Sequence, residues 1–336
     1  MPLRLWSVGS VCLLCVACGS DRNQVEDDSS WLEEPQREFP QRLSEVGLWD
    51  LSQPRDLWSA QTSGAALSFA PRFPLWTNGA RKQRQLVLPE GATIDATDPE
   101  HWRVPAGSIA FKTLYFADEA GAPVPAETRI IRIDETGERR FAVYVWDEAR
   151  DEAVRTAVGA TLSAVDFSGA RLEHRVPSEN ECAACHDSSP QTFLGLNGVQ
   201  QQPGDSGVLP SRAFAAPLAA PSPNLRGDDL DTRVLGYFFA NCSHCHNGWS
   251  GPNSEFSLLP DAAFANLIDV ESQGSASTAG VRVIPGDPED SLLVHAMDSV
   301  QGERSAKPMP PLGVQQEDAE GVALIEHWIE QLEHDD

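Results

Sequence analysis

Between Leu43 and about Pro177, apolar residues come in short, dense runs separated by turn residues. Gln85–Leu88, Ile109–Phe116, Thr128–Ile133 and Phe141–Trp146 are rich in β-branched and aromatic side chains, the composition that fits a pleated, packed surface. Glu135-Thr136-Gly137-Glu138 separates two of them and predicts a hairpin turn, and Asn78-Gly79, Pro105-Ala106-Gly107 and Ala120-Gly121-Ala122-Pro123 punctuate the rest. Several short strands at such spacing predict an antiparallel sandwich or barrel.

The period changes near residue 228. Asp229-Leu230-Asp231 opens a helical pattern through Val234, Leu235, Phe238 and Phe239, and Val322, Leu324, Ile325, Trp328, Ile329 and Leu332 form a second one. These two helices are expected to pack together, with Gly236 allowing close approach. Between the β and helical patterns, residues 182 to about 227 show little regular pattern and many prolines. The predicted architecture is multidomain. An N-terminal all-β antiparallel domain spans 43–178, a linking segment 179–227, and a C-terminal all-α domain 228–336.

The N-terminus reads as an address. Arg4 precedes an apolar run from Leu5 to Val16, too short to span a bilayer, and small residues precede Cys18. A lipoprotein signal over 1–18 is expected, with Cys18 carrying the lipid; an ordinary secretory signal or an uncleaved anchor are the alternatives. Gly19 after the cysteine favours the outer membrane, facing the periplasm. Residues 19–42 are acidic and polar and are expected to form a flexible tether. The whole chain of 336 residues carries 25 basic against 50 acidic side chains, a formal charge of −25. That argues against nucleic acid or an anionic lipid surface as a partner; membrane contact is expected through the lipid anchor alone.

The cysteines change the picture most. Cys182-Ala183-Ala184-Cys185-His186 and Cys242-Ser243-His244-Cys245-His246 are both Cys-x-x-Cys-His, the attachment signature of a c-type haem. Two thiols at that spacing add across the two vinyl groups of one porphyrin, and the histidine follows as the proximal iron ligand. Two covalently attached haem c groups are therefore expected, bound through Cys182, Cys185 and His186 and through Cys242, Cys245 and His246. The other three cysteines, Cys12, Cys15 and Cys18, fall in the leader. Met309, between prolines in Lys307-Pro308-Met309-Pro310-Pro311, is the expected sixth ligand of the second iron, with Met297 and His295 as alternatives. For the first iron the candidates are His174, His244, His295 or an open position. His174 also reads as an ordinary surface histidine, and Cys182, Cys185 and His186 as a metal knuckle that lacks a fourth ligand. The basic cluster Arg81, Lys82 and Arg84 reads as a solvated strand edge.

Leu43–Trp49, Phe73–Lys82, Val104–Ser108, Lys112–Phe116, Glu127–Arg129, Tyr144–Trp146 and Asn241–His246 together resemble the bacterial diheme c-type cytochromes in which a β domain precedes two haem motifs. Val283–Pro288, Ser291–Leu293 and Met309–Pro311 are similar to class I cytochrome c, so the resemblance makes 228–336 a cytochrome c domain. It implies haem binding and electron transfer with an unidentified redox partner protein. The rival expectations are a diheme peroxidase or oxidase with an open first haem, and a ligand-binding β module with accessory hemes.

Overall fold

The computed structural model describes residues 30–33, 37–49, 66–218, 225, 229–248, 256–272, 279–298 and 306–333. The expected leader and its Cys18 lie outside them. After a short helical turn α1 (Ser30–Glu33) come the strands β1 (Ala66–Ser68), β2 (Arg81–Val87), β3 (Ile109–Ala117), β4 (Pro123–Ile133), β5 (Arg139–Trp146) and β6 (Ala153–Arg155). They form one antiparallel sheet in the order β1-β2-β3-β4-β5-β6. Strands β7 (Ala160–Val165) and β8 (Arg171–Val176) make a separate antiparallel hairpin. Helices α2 (Glu179–His186), α3 (Leu230–Asn241), α4 (Ala263–Leu267), α5 (Leu292–Asp298) and α6 (Ala319–Gln331) follow.

Side chains alternate across each strand, so the register sorts them by face. Val87, Ile109, Phe111, Ile130, Ala142 and Tyr144 share one face and pack with Leu43, Val46, Leu48 and Trp49. Trp31 and Phe39 join this core, and the Arg132 guanidinium lies over both rings. Within the segment expected to be a tether, Trp31 and Phe39 are thus buried while Arg37, Glu38, Gln41 and Arg42 are exposed. The opposite face meets a cluster around Phe69, Trp102, Phe193, Leu196 and Phe214. The β7–β8 hairpin covers Leu114 and Phe116 with Leu162, Ala164 and Leu172.

The expected division into a β domain and an all-α cytochrome c domain does not describe the molecule. It is mostly β, in two antiparallel sheets, and residues 228–333 do not build a large all-α domain. Only α3 and α6, of 12 and 13 residues, have any length. Between them the chain is held by single bridges such as Ile268↔Val283 and Glu271↔Val281. Pro260, Gly280, Pro285, Gly286 and Pro288 explain this, since each interrupts a helix or removes its amide donor.

Helices α3 and α6 do pack together. Val234 and Phe238 meet Val322, Ile325, Trp328 and Ile329, and Trp328 Nε1 donates to Asp231 Oδ1 at 3.2 Å. Gly236, however, serves a different contact. A Cβ there would sit 2.2 Å from Cε1 of Phe73, whereas at Gly321 it would sit 2.4 Å from the Tyr237 hydroxyl. Gly321 is thus the small residue between the helices, and Gly236 admits the segment that precedes β2. That segment joins the parts of the molecule. Phe73 is clasped by the Gln200 amide, whose Oε1 accepts from its N–H at 2.8 Å and whose Nε2 donates to its carbonyl at 3.1 Å. The Trp76 N–H donates to Asn241 Oδ1 at 2.7 Å, and its indole Nε1 donates to the Gln316 carbonyl at 2.9 Å.

Candidate functional site

The first Cys-x-x-Cys-His motif lies on a helix where an irregular segment was expected. Ser178 starts α2 with a capping box: its Oγ accepts from the Glu181 N–H at 3.2 Å, and Glu181 Oε2 accepts from the Ser178 N–H at 2.9 Å. Ser178-Glu179-Asn180-Glu181 is the signal in the sequence that reveals this helix. On a helix, residues i, i+3 and i+4 share a face, which groups Cys182, Cys185 and His186. Arg155 anchors α2 to β6 through a bidentate pair with Glu179, at 2.6 and 2.9 Å.

The second motif follows α3 directly. Cys242 N–H closes the helix on the Phe238 carbonyl at 2.8 Å. The Cys245 and His246 amides then donate back to the Cys242 carbonyl at 3.1 and 2.9 Å, making one more turn. Cys242, Cys245 and His246 are grouped by the same spacing. The His246 ring stacks on Phe256 with centroids 4.5 Å apart, and the Arg282 guanidinium lies over Phe256.

The fold brings the two motifs together. Asn247 Nδ2 donates to the Ser188 carbonyl at 2.9 Å. The Cys185 sulfur, the Cys245 sulfur and a His244 ring nitrogen all lie within 4.8 Å of one another. Hydrogen bonds from Cys245 and then His244 pull the Cys185 thiol well below its usual range, and the same bond pushes Cys245 up. Burial raises Cys182 against the pull of Arg129 and Lys112, and raises Cys242 to about 12.

A cavity opens between α2, the end of α3 and the sheet, with about 1410 Å³ of space outside protein atoms, part of it open to solvent. Phe69, Phe73, Phe141, Phe193 and Phe239 give it apolar walls, and Cys182, Cys185, His186 and His244 stand at its rim or lining. His186 Nδ1 is buried with no hydrogen-bond partner among the described residues. Burial, and then Lys112 and Arg139, hold this imidazole far below its usual protonation range, which leaves it in the form that binds metals.

The charged lining is mostly cationic, with Glu181 its acidic member, paired to Arg175. Arg84 on β2, Lys112 on β3 and Arg129 on β4 are directly opposite one another in the register. Arg129 is neutralised by buried Glu127, which accepts from its Nε at 2.9 Å and its Nη2 at 2.6 Å. Burial lowers Arg84 to about 10 and, with Arg129 and Arg84 nearby, Lys112 to about 7. Of the basic cluster, Lys82 and Arg84 are partly buried while Arg81 is exposed. Lys82 is turned inward, donating to the Leu75 and Ala80 carbonyls at 2.7 and 3.3 Å, and Arg81 lies over the Phe167 ring.

His174 is not a surface residue. It is fully buried, with Nε2 2.8 Å from Glu127 Oε1 and Nδ1 3.1 Å from Asn78 Nδ2. Asn78 Oδ1 accepts from the Gln315 and Gln316 amides, which fixes the Asn78 amide orientation. Nδ1 of His174 is therefore the acceptor and Nε2 carries the hydrogen to Glu127, so both nitrogens are used. His244 is the candidate that faces the cavity. Met309 lies beyond α5, where its amide donates to the Ala296 carbonyl at 2.8 Å. Met297 packs against the cluster around Trp328.

No protein-family model, curated protein or solved structure matches this chain. Among the described residues no helix is long and apolar enough to cross a membrane. The residues present fit the chemistry of a c-type haem at the first motif: paired thiols and an imidazole on one helix face, an apolar-walled cavity beside them, and a buried ring nitrogen with no partner among the described residues.

Proposed function

We propose that the chain is an extracytoplasmic electron carrier with two covalently attached haem c groups, lipid-anchored through Cys18. Cys182 and Cys185 would hold the first by thioether bonds with His186 on its iron; Cys242, Cys245 and His246 would hold the second, with Met309 as its further ligand. Bound haem iron supplies a one-electron couple. The chain's own contribution is placement. The observation that carries this reading is the convergence of two haem motifs whose second cysteines are 60 residues apart (245 − 185) with sulfur atoms within 4.8 Å. The two attachment points are neighbours, as a pair of centres exchanging electrons requires. The phenylalanine walls of the cavity would exclude water from the first group and keep its environment of low polarity, one of the levers that set a potential.

The test is an optical and EPR spectrum of the matured protein, oxidised and reduced, with and without carbon monoxide. Two low-spin centres indifferent to carbon monoxide are expected. A high-spin centre that binds carbon monoxide would overturn the carrier reading and favour peroxidase or oxidase chemistry at the first motif.

A second reading rests on Cys185, His244 and Cys245. Two sulfurs and one imidazole nitrogen form a soft donor set suited to zinc or copper(I). It needs the thiols that haem attachment would consume. Metal analysis of chain made without haem maturation separates the two: stoichiometric zinc lost in Cys245→Ser supports it, and its absence removes it.

A further inference from the structure

The sheet face that lines the cavity carries a row of charge that the protein does not complete. Arg84, Lys112 and Arg129 stand opposite one another on three adjacent antiparallel strands, about 4.8 Å apart in the hydrogen-bonding direction. Like charges directly across a ladder repel. Here the repulsion is compounded by burial, in a chain whose other charges are overwhelmingly negative. Glu127 answers one of the three cations, through its bidentate bond to Arg129. Arg84 and Lys112 have no acidic hydrogen-bond partner among the described residues, and both line the cavity. Lys112 and Arg129 both lie within electrostatic reach of Cys182 and Cys185.

We infer that Arg84 and Lys112 form a carboxylate-binding site on the sheet face, and that its occupants are the two propionates of the group attached at Cys182 and Cys185. This rests on the haem reading of the first motif. A porphyrin held by its vinyl edge carries its two carboxylates on the opposite edge. The cavity lining holds the groups such a molecule needs: thiols, phenylalanine walls and the cations Arg84 and Lys112. The row then has a positioning role: it fixes the tilt of the group and compensates its carboxylates.

The test uses the matured holoprotein and its Lys112→Gln, Arg84→Gln and double variants. Intact mass reports attachment, and spectroelectrochemistry reports both midpoint potentials. Attachment is expected to survive, since the cysteines are untouched. One midpoint is expected to fall in each single variant and further in the double, because uncompensated carboxylates favour the ferric state; the other midpoint stays fixed. Lys112→Arg is expected to restore the wild-type value, which a loss of packing alone would not allow. The second arm adds citrate to the wild type. A citrate-dependent rise in melting temperature that disappears in Lys112→Gln, with unmoved potentials, would assign the site to a free carboxylate and overturn the propionate assignment. Unmoved potentials with no citrate response would overturn the site altogether. A chain with no group on Cys182 and Cys185 would fail the haem reading instead, and the citrate arm would then decide the site by itself.

Discussion

Glu127 has no exposed surface and accepts from Arg129 twice and from His174 once. Although burial opposes its ionisation, Arg129 and the hydrogen bond from His174 hold its carboxyl down at about 2. A carboxylate depressed in the folded state contributes stability above its unfolded value, here near 4.5, and loses it as pH falls towards 2. Stability should therefore drop between about pH 4.5 and 2, by on the order of 3 kcal/mol from this one group. Urea unfolding of wild type and Glu127→Gln across that window checks it. The variant should be less stable at pH 7 and lose less stability than the wild type across the window, where other depressed carboxylates such as Asp134 and Asp166 still act; parallel curves would contradict the assignment. Sequence reading misses this cluster because nothing local marks it. Glu127, Arg129 and His174 are scattered polar letters in β-rich text, and only the register and the β7–β8 hairpin bring them together.

At the scale of elements, α2 depends on its cap. Eight residues are too few to form a stable helix alone, so Ser178, Glu181 and the Arg155–Glu179 pair carry much of its definition. Ser178→Ala should cost about 1 kcal/mol, and amide exchange should rise over residues 179–186 without a matching rise in β3 or β4. Uniform exchange across both would show that the cap does not act locally. The strands β3, β4 and β5 were legible as dense runs of β-branched and aromatic residues, and the helices α3 and α6 because their apolar residues repeat at a period of 3.6. The short α2 has no apolar stripe to read, and its cap alone signals it. The all-α expectation for the C-terminal part failed between the two periodic helices, where prolines and glycines leave only the short α4 and α5 among the described residues and single β-bridges hold the rest. Gly236 was identified as a close-approach position, but its partner, Phe73, lies 163 residues earlier (236 − 73), beyond any local pattern.

Across the whole molecule, Asn78 is the polar junction between sheet, hairpin and C-terminal segment. It is fully buried, takes a left-handed conformation at φ 49°, and bonds His174, the Gln315 side chain and the amides of Gln315 and Gln316. Asn78→Ala leaves several buried groups unpaired and should cost about 2–4 kcal/mol. Thermal unfolding should lose cooperativity as residues 306–333 detach from the sheet; a sharp, single, unshifted transition would contradict this. The two Cys-x-x-Cys-His strings themselves were plain in the sequence, since each is local. Their meeting at Cys185 and Cys245 was not, because it depends on how α2 and α3 are both laid against the sheet. The most direct measurement is the intact mass and haemochrome spectrum of protein matured in the periplasm, compared with Cys182→Ala/Cys185→Ala and Cys242→Ala/Cys245→Ala. The account predicts two haem additions in the wild type and one in each double variant. A single haem in the wild type, retained when Cys182 and Cys185 are removed, would contradict it.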